Sequence, residues 1–299
     1  MPGNEKDVYT LKTASQELID TAQNGQFALA MIEQIKGGTA LRAPLPQLTE
    51  MIDALLRGVP YLGYNVDSLR VFRGRIEGKP FLETPAEFSY KPEALSREFG
   101  RCHRPGTTVF YGASNLDTVL SELTPEIGDR VHVGVARVAA GKSIHLTAIS
   151  EIDHVRRYGR PLIGNQMATA DLNAMLAQIG DEARIRALLV DAFFADLFAQ
   201  PATKQRDYKA TAVLAGLLLD ARDDSGRMIN DGFAYPSVGH RGGLNFAIHP
   251  QGFDRAMEWE HFMVFEITDY LGFGLYAREQ VASASRVQDG VIQWENLNE

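Results

Sequence analysis

The chain is poor in the features that usually announce a function. Its 299 residues hold one cysteine, Cys102, which excludes an internal disulfide framework and suits a reducing compartment. No stretch approaches the roughly 18 consecutive apolar residues of a membrane-spanning helix. Met1 to Thr10 is polar, with no apolar signal segment, so a cytoplasmic location is expected. Lys and Arg number 30 against 38 Asp and Glu, for a formal net charge of −8. Binding nucleic-acid phosphates or an anionic membrane needs the opposite sign, so neither is expected as a partner. There is no Gly-x-Gly-x-x-Gly after a strand pattern and no Gly-x-x-x-x-Gly-Lys-Ser/Thr loop, which leaves the Rossmann and P-loop phosphate cradles without support. The seven histidines include no His-Glu-x-x-His, and the adjacent pair Cys102-His103 is poorly spaced for ligation, so no metal is expected. The Gly-x-Ser-x-Gly elbow of serine hydrolases is missing too.

What the chain has is apolar mass, 45% of its residues, enough at this length for a sizeable core. Residues 9 to 58 read as helical, with apolar groups at Leu18-Ile19, Phe27 to Ile35 and Leu48 to Leu56, punctuated by Gly37-Gly38, Pro44 and Pro46. This predicts a helical N-terminal appendage over residues 1–65 and a main domain over 66–299. In the main domain the alternation from Ser68 to Arg73 reads as a strand ending on Arg73-Gly74-Arg75, 84 to 99 as a loop and short helix, and Thr107 to Tyr111 as another strand. Arg130 to Val138 alternates as a half-buried strand does, and Ser143 to Leu146 is expected to pair with it through the Ala140-Gly141 turn. A helical insert at 169–222 precedes strand texture at Met228 to Val238, Gly243 to His249 and Met263 to Ile267, and the tail reads as acidic and polar. Without regular βαβ alternation, the class expected is α+β.

The chemistry concentrates between Gly100 and Glu122. Arg101 and Arg104 flank a turn at Pro105-Gly106, a strand follows, and Ser114 with Asp117 fits a capping box opening a helix. Leu116, Val119, Leu120 and Leu123 form that helix's apolar stripe, with Glu122 on its flank. Arg73, Arg101, Tyr111, Glu122, Tyr235 and Ser237 together suit a dinucleotide: arginines for a diphosphate, tyrosines for a flat heterocycle, and a carboxylate for an oxocarbenium-like centre. Taken singly, each has a plainer reading, an ion pair for Arg73 or a solvated helix position for Glu122.

The order Arg73-Gly74, Gly100-Arg101 with Pro105-Gly106, Phe110-Tyr111-Gly112-Ala113-Ser114, Leu120-Ser121-Glu122-Leu123, Tyr235-Pro236-Ser237 and Gly243-Leu244-Asn245 with Pro250 resembles the RES-domain family. That family is named for Arg, Glu and Ser, and many members are toxins of bacterial toxin-antitoxin pairs. The resemblance runs from about Val66 to Pro250. It implies an ADP-ribosyltransferase-like split β-sheet core that takes NAD+ as substrate and breaks its nicotinamide–ribose bond, with inorganic phosphate or water as acceptor. Some relatives modify a protein instead, and a catalytically inactive nucleotide-binding or interaction module is the third alternative. It further implies Arg73 and Arg101 on the diphosphate or an incoming phosphate, and Tyr111, Tyr235 and Asn245 in the NAD+ site. Glu122 would stabilise the ribosyl cation and Ser237 would hold the ribose or acceptor, so Glu122, Arg73 and Ser237 form the catalytic set. Compact members are held by a helix-turn-helix antitoxin. The appendage at 1–65 is the candidate gate or homodimer contact, and the insert at 169–222 is the candidate surface for a protein substrate. After the second arginine, where the family often has Trp and Asn, this chain has Cys102 and His103.

Overall fold

The computed structural model describes residues 25–57, 59–201 and 205–297; the helical text expected at residues 9–24 lies outside them. In chain order the first elements are helices α1 (Gly25–Lys36), α2 (Thr39–Arg42) and α3 (Leu45–Leu56), strands β1 (Gly63–Val66) and β2 (Arg70–Ile76), and helix α4 (Pro85–Phe88). Strand β3 (Phe110–Ala113), helix α5 (Leu116–Leu123) and strands β4 (Arg130–Val138) and β5 (Ile144–Ala148) follow. Helices α6 (Glu151–Tyr158), α7 (Gln166–Gln178), α8 (Asp181–Ala199) and α9 (Lys209–Leu219) fill the insert region. Strands β6 (Gly232–Pro236) and β7 (Leu244–Ile248), helix α10 (Pro250–Ala256), the long strands β8 (Met257–Gly272) and β9 (Leu275–Ala284), and the two-residue strands β10 (Val287–Gln288), β11 (Val291–Ile292) and β12 (Glu295–Asn296) complete the chain. The class is α+β.

The described residues divide into two compact units. The first takes those up to Asn65, Glu93–Thr107 and His145–Tyr235. Helix α1 buries Ala28, Met31, Ile32 and Ile35 at helical spacing. Helix α3 does the same with Leu48, Ile52, Leu55 and Leu56, and carries Pro46 in its first turn, where a missing N–H costs no hydrogen bond. Helix α9 is apolar all round, with Ala212, Leu214 and Ala215 fully buried, as the central member of a helical layer should be. Its Lys209 Nζ donates to the carbonyls of Leu41 (3.1 Å) and Ala43 (2.6 Å) at the end of α2, acceptors that a helix end leaves unused. N-terminal and insert helices thus belong to one packed unit. Strand β5 does not pair with β4, as the turn between them suggested. It runs parallel to β6, with Leu146 opposite Gly232 and Ala148 opposite Ala234.

Behind this strand pair lies a buried acidic knot. Asp191 of α8 is fully buried and accepts from the Asp153 backbone N–H at 2.8 Å. Glu151 accepts from Tyr64 Oη at 2.7 Å and from the Leu162 N–H at 2.6 Å. Burial, reinforced by the neighbouring Asp153 and Glu151 charges, pushes the Asp191 carboxyl up to about 7, while backbone donors pull the other way. Burial likewise raises Glu151. Tyr61 interacts electrostatically with both Asp191 and the buried Arg186. An Asp in the unfolded chain loses its proton near pH 4, so between about pH 4 and pH 7 the native state holds a proton that the unfolded state has released. Stability therefore falls as pH rises through that window and is flat above it. Asp191→Asn keeps an oxygen for the Asp153 N–H and removes the titration. In thermal melts its advantage over the parent chain is expected to be small at pH 4, to widen up to pH 7 and then to stay constant; a pH-independent gap would contradict this.

The second unit takes Val66–Pro92, Thr108–Ile144 and Pro236–Glu299. Seven of its described strands form an antiparallel array in the order β7-β3-β2-β4-β8-β9-β12, and β10 pairs with β11 in a separate two-stranded ribbon. Strand β4 matches its predicted bounds, but it is not half-buried: it is covered on both faces, and even His132 is fully buried. Helix α5 covers one face, packing Leu120 with Val131, Val133, Phe265 and Ile267. Phe88 of α4 covers the other with Phe262 and Trp259, its ring 4.9 Å from that of Phe262. Strand β2 ends at Ile76, one residue beyond the expected Arg75, and α5 crosses directly over its Gly74. A Cβ there would lie 2.3 Å from Val119 Cγ1 and 2.8 Å from Leu123 Cδ1. The segment expected at Met263 to Ile267 is the middle of the 16-residue β8, and β9 returns from it as a hairpin through Gly272-Phe273-Gly274. The tail is therefore ordered into strands, not a featureless polar run.

Candidate active site

Helix α5 presents the central carboxylate, and its start is set one residue later than the capping pattern suggested. Asn115, not Ser114, is the N-cap: Asn115 Oδ1 accepts from the Thr118 N–H at 2.8 Å. Ser114 is still occupied by β7, its N–H donating to Leu244 O at 2.8 Å and its Oγ accepting from the Leu244 N–H at 3.1 Å. Asp117, freed from a capping role, pairs with Arg278 of β9 at 3.1 Å. The apolar stripe then points into the sheet and leaves Glu122 exposed.

Glu122 is nevertheless tightly held. Its Oε1 accepts from Ser237 Oγ at 2.5 Å and from Asn245 Nδ2 at 2.8 Å. The successive backbone N–H groups of Val238 and Gly239 approach the same oxygen at 3.2 and 3.5 Å, a small anion-binding concavity. Among the described residues Oε2 makes no hydrogen bond or ion pair. The loop that supplies the donors closes on itself, with Ser237 N donating to Gly243 O at 2.9 Å and His240 N donating to Ser237 Oγ at 3.0 Å. Its approach to α5 is so close that a Cβ on Gly239 would sit 2.5 Å from the Ser121 carbonyl oxygen. Across the same backbone, Ser121 Oγ donates to Gly274 O at 3.3 Å, which anchors the tip of the β8–β9 hairpin beside Glu122.

Three predicted residues, Glu122, Ser237 and Asn245, are thus joined by hydrogen bonds. Tyr111 shares their face of the sheet: Ala113 lies opposite Asn245, and Tyr111 is two residues before Ala113. Arg73 points to the other face. It is opposite Gly134, its neighbour Phe72 is opposite Ala113, and its guanidinium lies over the Phe110 ring at 5.5 Å. Arg73 Nη1 donates to the Tyr111 carbonyl at 2.7 Å, which ties β2 to the strand carrying that tyrosine.

Arg101 and Tyr235 belong to the first unit. Arg101 Nη1 donates to Phe198 O at 2.8 Å and to Gln200 O at 3.3 Å, closing the C-terminal end of α8, and its guanidinium lies 5.3 Å from the Tyr208 ring. It also lines a pocket of about 420 Å³ with Lys36, Arg42, Tyr208 and Thr211. Tyr235 is 3% exposed and packs on Phe198 and Phe233, with ring centroids 5.0 and 5.9 Å away. Cys102 is buried.

The residues that sequence reasoning passed over are the loop N–H groups, Asn115, Thr118 and His240. His240 lies in the glycine-rich segment Gly239-His240-Arg241-Gly242-Gly243, and the one signal for it was its place three residues after Ser237. No described helix is long and apolar enough to cross a membrane. Among curated proteins and among solved structures nothing matches the chain. The family model of the RES domain matches residues 74–264, nearly two-thirds of the length. That span starts one residue after Arg73 and includes the linked Glu122, Ser237 and Asn245 together with the helical insert, and on it the chain belongs to the RES-domain family.

Proposed function

We propose that this protein consumes NAD+, breaking the bond between nicotinamide and ribose at Glu122 and passing the ADP-ribosyl group to water or phosphate. The observation that carries the reading is the asymmetry of the Glu122 carboxylate: Oε1 gathers the donors of Ser237, Asn245 and the loop, while Oε2 is left for a ligand. As the glycosidic bond lengthens, positive charge grows on the ribosyl carbon and ring oxygen, and a fixed carboxylate stabilises it without reorganising. Nicotinamide leaves as a neutral base, so departure needs no acid.

In this reading Ser237 and Asn245 act on the carboxylate. The single hydroxyl proton of Ser237 is committed to Glu122, and its lone pair takes the His240 N–H. Asn245 gives an amide proton to the same oxygen. Tyr111 flanks the heterocycle, and Arg73 positions it by holding its carbonyl. A diphosphate role for Arg101 rests on the family resemblance alone. Turnover of NAD+ in phosphate-containing and phosphate-free buffer separates the acceptors: ADP-ribose in both means hydrolysis, and a phosphorylated ADP-ribose formed only with phosphate means phosphorolysis. Label passing from NAD+ to a protein, with neither product, would replace this reading by protein ADP-ribosylation.

A further inference from the structure

We propose that His240 is the general base that takes the proton of the attacking water, an inference that rests on the NAD+ reading above. The argument is one of proton placement. Thr118 Oγ1 lies 2.9 Å from Asn115 Oδ1 and 2.8 Å from His240 Nδ1. Asn115 Oδ1 also receives the Thr118 N–H at 2.8 Å, which identifies it as the amide oxygen, an acceptor only. The Thr118–Asn115 contact therefore needs the hydroxyl proton, and that hydroxyl has only one. What remains at Thr118 Oγ1 is a lone pair, so His240 Nδ1 must be the donor. This fixes the neutral imidazole as the Nδ1–H tautomer with the lone pair on Nε2.

Nε2 makes no hydrogen bond or ion pair among the described residues, and His240 is half-buried, not sealed in the core. Its backbone N–H is bound to Ser237 Oγ, the group that holds Glu122, so the loop that carries the base also grips the carboxylate of α5. A Cβ on Gly243 would lie 2.4 Å from Thr118 Oγ1 and 2.9 Å from His240 Nδ1; the loop is shaped around this contact. A base oriented by a third group is the arrangement that nucleophile activation uses. In the transfer step an oxygen lone pair of water forms the bond to the ribosyl carbon. The carbon–nitrogen bond breaks with its pair going to nicotinamide, and the water proton goes to His240 Nε2 and then to solvent. Thr118 and Asn115 are positioning residues.

His240→Ala is expected to lower NAD+ hydrolysis by about 10²-fold, with partial recovery on adding free imidazole, which a merely structural loss would not show. Thr118→Val, similar in shape, is expected to lower it by roughly tenfold. Long-range ¹H–¹⁵N NMR of the intact protein should show His240 as the Nδ1–H tautomer. A His240→Ala chain that hydrolyses NAD+ at the parent rate, a loss that imidazole does not relieve, or an Nε2–H tautomer would each overturn the assignment while leaving the NAD+ reading standing. A parent chain inert toward NAD+ would overturn both.

Discussion

Glu122→Gln is expected to lower nicotinamide release from NAD+ by about 10²–10³-fold, the usual cost of removing one preorganised electrostatic partner. The substitution is nearly isosteric. A glutamine oxygen can still accept from Ser237 and Asn245, the two donors that now hold the carboxylate at 2.5 and 2.8 Å. The side chain is exposed, so no core packing is lost and the melting temperature should hardly move. What disappears is the negative charge that the proposed reaction places beside the ribosyl carbon. If the chain acts as a toxin, as many members of its family do, its expression should arrest growth and Glu122→Gln should relieve the arrest. An unchanged rate in the folded variant would remove Glu122 from the mechanism.

Gly239→Ala is expected to cost both activity and stability. A Cβ at this position meets backbone: it would lie 2.5 Å from Ser121 O, 2.8 Å from Ser121 C and 3.3 Å from Glu122 N. No rotamer change can relieve that, so the loop must back away from α5. Doing so draws the Val238 and Gly239 N–H groups and Ser237 Oγ off the carboxylate. A displacement on the order of 1 Å at a catalytic group can cost about 10²-fold in rate, and overpacking of this kind destabilises by about 1–3 kcal/mol. Gly78→Ala is the control, since an added Cβ there meets nothing within 4 Å. Parallel measurement of turnover and thermal midpoint should show the loss for position 239 alone.

How much of this was legible depended on whether the deciding contacts were local. The stripe of Leu116, Val119, Leu120 and Leu123 repeats at helical period, so α5 could be read directly. Its cap slipped by one because Ser114 and Asn115 are both good caps, and what decides is the bond of Ser114 to Leu244, 130 positions away. The alternation from Arg130 to Val138 set the bounds of β4. It could not show that Phe88 and Trp259 cover the second face, since those rings arrive from distant segments. The turn at Ala140-Gly141 suggested a hairpin, but β5 finds a parallel partner in β6 after the whole helical insert, and nothing local announces such a pairing.

The site shows the same division. Glu122 looked like a solvated helix residue because its partners, Ser237 and Asn245, follow 115 and 123 positions later; only the ordered family pattern brought the three together. Alternation in β2 does separate Phe72 from Arg73, but which face carries α5 emerges only once Gly74 is seen beneath Val119 and Leu123. His240 was hidden by its glycine-rich neighbours, and its meaning depends on a threonine hydroxyl whose proton is committed elsewhere.

The central claim is tested most directly by mass spectrometry of the products after NAD+ is incubated with the purified chain. Nicotinamide and an ADP-ribosyl product formed in equal amounts, and absent with Glu122→Gln, are the predicted result. NAD+ recovered intact at enzyme concentrations comparable to its own would contradict it.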